Sequence, residues 1–205
     1  MDTTLKINNF IPKNVQPYNN APWNYEGLER VISYPDSVVD WVLMELRDSA
    51  NPATIVGSRA AFVKKNGNLV EIDPIKTGST DIIFSGVNPG NYYIVIKHRN
   101  HLAIMSSTTV ALSTTASLYD FTSSQNKAYT TGPEPMVNLS AGKFGMIAGD
   151  CDGSGFIDID DFMVIDNGRF QAGYKNPDSN MSGIVDVDDF TFPDNNFFKG
   201  TQVPQ

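Results

Sequence analysis

One pattern occurs twice near the C-terminus, 28 residues apart. Residues 150–170, DCDGSGFIDIDDFMVIDNGRF, align with 178–198, DSNMSGIVDVDDFTFPDNNFF, and ten of the 21 positions are identical. The shared positions are Asp, Ser, Gly, Phe and Asn at fixed offsets, which marks a duplicated structural unit rather than low-complexity sequence. The same segment holds the charge. Residues 1–149 carry 12 basic and 12 acidic side chains, whereas 150–205 carry 11 Asp against Arg169, Lys175 and Lys199. The net −8 of the 205-residue chain therefore lies entirely in its last quarter. Disordered acidic tails lack apolar residues. Here the carboxylates are interleaved with Phe, Ile, Val and Gly, and the segment is expected to fold.

The spacing of oxygens within each copy narrows the chemistry. A cation of calcium's size takes six to eight oxygens, and a 12-residue loop supplies them from positions 1, 3, 5, 7, 9 and 12 around a glycine bend. In the first copy these positions are Asp150, Asp152, Ser154, the carbonyl of Phe156, Asp158 and Asp161, with Gly155 at the bend. In the second they are Asp178, Asn180, Ser182, the carbonyl of Ile184, Asp186 and Asp189, with Gly183 at the bend. Ile157 and Val185 take position 8, where they are expected to turn inward and share a small core beneath the two loops. Carboxylates crowded into one loop repel unless a cation neutralises them. Two Ca2+ ions are the expected cofactors. Magnesium prefers fewer protein ligands and stricter octahedral geometry. Zinc and copper favour His or Cys, and the loops offer only Cys151, at a position expected to face outward.

On these residues the segment resembles a type I dockerin, whose duplicated loop–helix units read D-x-N/D-x-D/S-G-x-I/V-D/N-x-x-D. Position 12 is Asp in both copies, as in that family, and the incoming helix of a full EF-hand is absent from the glycine-rich stretch 142–149. The resemblance covers about 148–200, a quarter of the chain. It implies a small α-helical module with two EF-hand-like loops that folds around two calcium ions and plugs into a cohesin-like partner. It further implies a secreted or cell-surface assembly of the kind that degrades polysaccharide. Because the two copies present near-identical faces, the resemblance leaves two docking orientations related by a pseudo-two-fold open. The docking positions depart from the family. Family members often carry a Ser/Thr pair at loop positions 10–11, where this chain has Ile159-Asp160 and Val187-Asp188. Asp166-Asn167 and Asp194-Asn195 stand further along, where members carry basic residues. Pro193 falls within the second helix, which it should kink or shorten.

Ahead of the repeat the pattern changes. Residues 1–27 hold Pro12, Pro17, Pro22 and six asparagines, through which no helical or strand period runs far. The apolar anchors Phe10, Ile11, Tyr18, Trp23 and Tyr25 point to an extended segment packed on the domain that follows. Residues 28–147 read as β: strands over 38–46, 55–64, 69–72, 81–84, 92–97, 104–112 and 137–139, with an Asn-Gly turn at Lys65-Asn66-Gly67-Asn68. About seven short strands with regular turn signals predict a β-sandwich. The domain boundary is expected in the glycine-rich stretch 142–149, leaving 148–205 as the calcium module. Gly-x-x-Pro-Gly-Asn-Tyr-Tyr at 86–93 is similar to transthyretin-like and carboxypeptidase-regulatory-like sandwiches of large secreted bacterial proteins. That similarity implies a structural or adhesive role and a chain cut from a longer secreted protein, since residues 1–10 have no signal-peptide pattern.

Other chemistry is weaker. His98 and His101 form an H-x-x-H without a third ligand, and read as surface or packing histidines. The carboxylate pairs Asp40/Glu45 and Glu26/Glu29 have the look of glycosidase pairs, but such pairs are common in acidic chains. No Gly-x-Ser-x-Gly accompanies the serine-rich stretches. Trp23, Tyr25, Trp41, Tyr92 and Tyr93 read as core or clamping residues before they read as a sugar platform. There is no basic patch for nucleic acid and no apolar run long enough to span a membrane. The reading is a non-enzymatic, calcium-dependent attachment module, monomeric in isolation and extracellular. Its alternatives are a calcium-stabilised cap on the sandwich with no external partner, or a carbohydrate-binding sandwich.

Overall fold

The computed structural model describes residues 3–71, 81–115 and 117–205, and over these the chain is mainly β. After a one-turn helix, α1 (Thr4–Ile7), the chain enters β1 (Val38–Asp48), which is buried along nearly all of its length. Burial on both faces suits its near-continuous apolar sequence, VVDWVLMELRD. Antiparallel partners lie on either side of it: β2 (Ile55–Lys64) and β4 (Gly90–His98). The Asn-Gly turn follows β2 as expected, with Gly67 at φ 88°, and leads into β3 (Leu69–Val70). On the far side, β5 (His101–Met105) and β6 (Val110–Leu112) both pair with β4. These six strands form one sheet of order β3-β2-β1-β4-β5, with β6 beside β4. A second, two-stranded sheet joins β7 (Val137–Asn138) to β8 (Phe144–Gly145). Strand β8 lies within the glycine-rich stretch 142–149, and that stretch also holds the buried Ile147.

Two strand expectations are corrected. The segment 104–112 is not one strand, because the Ser106 hydroxyl accepts the Ile94 N–H at 3.0 Å. A side chain thus takes a place in the ladder, and the chain then leans away to pair Ser107 N with the Lys127 carbonyl at 2.9 Å. The segment 81–84 is not a strand either. Its Ile83 N–H is satisfied by the Glu71 carboxylate at 2.8 Å, while Ile82 and Phe84 pack on the sheet. Of the expected strand 69–72, residue 72 lies outside the described residues.

Each face of the sheet has its own cover. Trp41, Leu43, Ala60 and Phe62 form one cluster with Leu5, Ile11, Tyr18 and Val31 of the N-terminal segment. Trp41 and Phe62 are register partners with ring centroids 3.8 Å apart, a pairing that contributes beyond its buried area. The Trp41 indole N–H reaches the Pro12 carbonyl at 3.0 Å, and the Tyr18 hydroxyl reaches the Trp41 carbonyl at 2.8 Å. Val42, Met44, Leu46, Ile94, Ile96 and Ile104 turn the other way, against Ala128, Met136, Phe144 and Met146. The chain end returns to the sheet: Val203 packs with Val95 and Met105, and the Arg47 guanidinium donates to the Pro204 carbonyl at 3.3 Å. Among the described residues no helix is long and apolar enough to cross a membrane.

The duplicated segment forms α2 (Ile159–Gly168) and α3 (Thr191–Asn195), the latter preceded by a 3₁₀ turn, Val187–Phe190. The second helical stretch is the shorter one and contains Pro193, as its sequence requires. The copies exchange backbone hydrogen bonds reciprocally. Phe170 N donates to Val185 O at 2.8 Å and Val185 N to Gln171 O at 3.0 Å. With the copies swapped, Phe198 N donates to Ile157 O at 2.9 Å and Ile157 N to Lys199 O at 2.8 Å. Two equivalent residue pairs touch each other, Cys151 Sγ to Ser179 Oγ at 3.2 Å and Phe162 to Phe190 at 6.1 Å between ring centroids. Equivalent residues can meet only on the axis relating the copies, so a pseudo-two-fold runs between these pairs.

Candidate metal centres

The pseudo-two-fold sets the two loops side by side. In the first, the helix start organises the carboxylates. Asp158 caps α2 by accepting Asp160 N at 2.9 Å, and Asp161 reaches back to accept Asp158 N at 2.9 Å, a reciprocal capping box. The other oxygen of Asp161 accepts Cys151 N at 2.6 Å and Asp152 N at 3.2 Å. Asp150 accepts the Gly155 N–H at 3.2 Å, which requires the tight bend that Gly155 makes at φ 85°. Oxygens of Asp150, Asp152 and Asp161 converge within 4.8 Å of one another. The Ser154 hydroxyl donates to the Phe156 carbonyl at 3.0 Å, so positions 5 and 7 also face each other. Asp158 is the carboxylate outside the convergent trio.

The second loop repeats the wiring. Asp186 caps the 187–190 turn, and Asp189 completes the capping box with Asp186 N at 2.9 Å while accepting Asn180 N at 3.0 Å. Asp178 and Asn180 both accept the Ser182 N–H, at 2.9 and 2.8 Å, which brings their oxygens together. Gly183 N donates to the other Asp178 oxygen at 2.9 Å, and the Ser182 hydroxyl donates to the Ile184 carbonyl at 3.0 Å. Here too Asp186 is occupied as the helix cap.

The donor set fits a hard divalent cation on two observations. It consists of oxygen atoms alone, the choice of magnesium and calcium rather than of zinc or copper. It also buries carboxylates that neighbouring carboxylates oppose. Burial pushes Asp150 up to about 7 against the Gly155 N–H, with Asp161 and Asp152 adding to the rise. Burial likewise raises Asp161 and Asp189. Asp178 is raised by burial to about 6, with Arg99 opposing. A cluster of this kind is costly as bare anions and favourable around a positive charge.

Two expectations about the loop surroundings are corrected. Cys151 does not face outward: it is buried on the pseudo-two-fold beside Ser179, and burial pushes its thiol up to about 12. Ile157 and Val185 both turn inward but share no core. Ile157 packs with Leu102 and Ile147 next to the sheet, whereas Val185 packs with Cys151 and Ile165. The reason is that each loop pairs with the other copy's exit strand, at Phe156–Gly200 and Ile184–Ala172, so the position-8 residues diverge.

Several residues that the sequence did not connect to the loops bear on their surroundings. Arg99, buried at the β4–β5 turn, donates to Asp40 at 2.9 Å and to the Lys175 carbonyl. Tyr174 completes the cluster with a hydroxyl 2.7 Å from Asp40. The N-terminal segment reaches both loops. A Cβ at Gly183 would fall 2.8 Å from the Phe10 ring, and one at Gly153 would fall 2.8 Å from Pro22. No local pattern announces these contacts, since they join parts of the chain far apart in sequence. His98 and His101 belong to the same polar cluster, with His98 3.2 Å from Asp40. Glu45 is paired with Arg47 and Lys97, and Glu29 with Arg59, while Glu26 lies exposed on the surface. Of the aromatic residues weighed as a sugar platform, Trp41 is enclosed, and Trp23, Tyr25, Tyr92 and Tyr93 are half-buried against the core clusters.

The outer face of the repeat is apolar at symmetric points. Ile159 and its equivalent Val187 are 61% and 62% exposed, and Phe170 and Phe198 are 80% and 71% exposed. The exposed Asp160, Asp166, Asp188 and Asp194 stand among them.

No protein-family model and no curated protein matches the chain. Among solved structures it is similar to chains in two crystal structures of type II cohesin–X–dockerin complexes from Acetivibrio cellulolyticus. With the N-terminal interface mutant the identity is 17% and the TM-score 0.42; with the C-terminal interface mutant they are 18% and 0.43. Each match covers 78% of this chain and 82% of that chain. Likeness at this level is too slight to assign a family.

Proposed function

We propose that the chain is a calcium-binding, non-catalytic attachment module whose duplicated segment docks a partner protein. The observation that carries this reading is the convergence of Asp150, Asp152 and Asp161 in the first loop, repeated in the hydrogen-bond wiring of Asp178, Asn180 and Asp189 in the second. Calcium, when bound, supplies the positive charge that offsets the mutual repulsion of these carboxylates. The protein's own part is to hold each position-12 carboxylate on backbone N–H groups at a helix start and to bend at Gly155 and Gly183. With α2 and the 187–190 turn fixed in this way, Ile159, Phe170, Val187 and Phe198 stand outward as two equivalent apolar faces. A cohesin-like protein in a secreted or cell-surface assembly is the partner this reading names. The test is binding of immobilised cohesin modules to the full chain, in calcium and after calcium removal. Binding that requires calcium, and is halved in avidity by Ile159→Asp or Val187→Asp alone but lost in the double variant, supports it. Absence of binding by every module in saturating calcium refutes docking.

A second reading, a calcium-stabilised cap on the sheet with no external partner, is favoured by the buried Asp40–Arg99–Tyr174 cluster and by Ile157 packing on Leu102. Under this reading the sheet and the repeat melt in a single transition that calcium removal lowers. Two separable transitions argue for an autonomous docking unit instead.

A further inference from the structure

The β4–β5 hairpin closes with a two-residue turn, Arg99–Asn100, between the register partners His98 and His101. Turns of this kind lie on the surface because solvent satisfies their backbone. Here Arg99 is 1% and Asn100 0% exposed, so protein groups must replace that solvent. The replacements come from the starts of the two loops. The Asn100 carbonyl accepts Gly149 N at 3.0 Å, one residue before Asp150. The Asn100 side-chain amide donates to the carbonyl of Asp178 at 2.8 Å and to that of Asn176 at 3.1 Å. Arg99, held by Asp40, donates to the carbonyls of Lys175 and Asn176. One turn therefore fixes the backbone immediately before the first ligand position of one loop and at that position in the other.

We propose that Asn100 is a positioning residue that couples the two loops to each other and to the sheet, so that an ion in one loop raises the affinity of the other. This rests on the reading of the loops as calcium sites. The physical basis is shared ordering. Whatever motion the turn and the two loop starts retain is lost when the first loop closes on an ion, and the second loop closes without that cost. Coupling of this type is reciprocal. Asn100 is suited to the role because its backbone serves one loop and its side chain the other, so truncation cuts one arm and leaves the other.

The experiment is a calorimetric calcium titration of the full chain, with the single-loop variants Asp161→Ala and Asp189→Ala reporting each loop alone. In the wild type each loop binds about fivefold or more tightly when the other is intact. In Asn100→Ala this difference disappears, and affinity at the second loop falls about tenfold. Asn100→Ser, a good turn former that lacks the amide donors, serves if the alanine variant does not fold. Ser179→Ala, which removes the contact on the pseudo-two-fold without touching the turn, keeps the coupling. A folded Asn100 variant with wild-type coupling overturns the inference, as does a wild type whose two loops fill independently. A wild type that takes up no calcium overturns instead the reading on which the inference rests.

Discussion

The two loops share their donor spacing, their capping boxes and their glycine bends, yet they live in different surroundings. Asp150 has Asp152 and Asp161 for neighbours, and burial leaves it at about 7. Asp178 has the Arg99 guanidinium against it and is raised less, to about 6. The Phe10 ring crowds Gly183, whereas Gly155 meets the methyl of Thr201. Ile157 is pulled toward the sheet and Val185 toward Ile165. Duplication thus fixed the local wiring, and the sheet then made the copies unequal by lending a positive charge to only one of them.

The strongest way to break this comparison is to delete one cage at a time. Asp161→Ala and Asp189→Ala each remove the carboxylate that holds the helix start, and each is expected to lower the calcium count from two to one. Because the second loop is tied to Asp40 and Tyr174 through Arg99, Asp189→Ala should also lower the melting of the sheet more than Asp161→Ala does. Equal melting losses in differential scanning calorimetry would remove the asymmetry.

A pH series sharpens the comparison at smaller amplitude. In the calcium-free chain Asp150 and Asp178 titrate at about 7 and about 6. An unfolded aspartate titrates at about 3.9, so the folded state holds more protons between that value and the folded ones. The stability that these two groups contribute is then fully present below about 4 and is lost as pH rises through the folded values. Protein stripped of calcium should melt on the order of 5 °C higher at pH 5 than at pH 8. Saturating calcium should reverse that slope, because protons compete with the ion for the same oxygens. Asp150→Asn should flatten the calcium-free slope more than Asp178→Asn does.

The smallest effect concerns affinity order. The first loop sets three carboxylates around its bend, Asp150, Asp152 and Asp161, against Asp178 and Asp189 in the second, and Arg99 further offsets the charge of the second. The first loop should bind calcium about tenfold more tightly, and Asp152→Asn, which equalises the carboxylate count, should close most of that gap. A calorimetric titration of the single-loop variants returning the opposite order would show that ligand charge is not what ranks the loops.

Much of this was legible in the sequence because it is local. The convergence of Asp150, Asp152 and Asp161 follows from spacing within 12 residues, strand β2 from a run of apolar and small residues ended by an Asn-Gly turn, and the shortened α3 from Pro193. The misses are cases where a distant group replaced a local partner. Ser106 broke the segment 104–112 by bonding Ile94, and Glu71 took the N–H that Ile83 needed for a ladder. Cys151 looked like an outward position because position 2 of a single loop faces solvent, but the second copy covers it.

The sequence by itself determined which residues offer oxygen and their order around each bend, since these lie within one loop length, whereas the use of Asp158 and Asp186 as helix caps emerged only in the structure. Only the tertiary structure decided how the loops relate to each other and to the sheet. The reciprocal strand exchange, the burial of Arg99 and Asn100, and the reach of Phe10 and Pro22 join residues whose separation leaves no periodic trace. Hydrogen bonds and packing between such segments are chosen by the whole fold, and the charge that distinguishes one loop from the other arrives by that route.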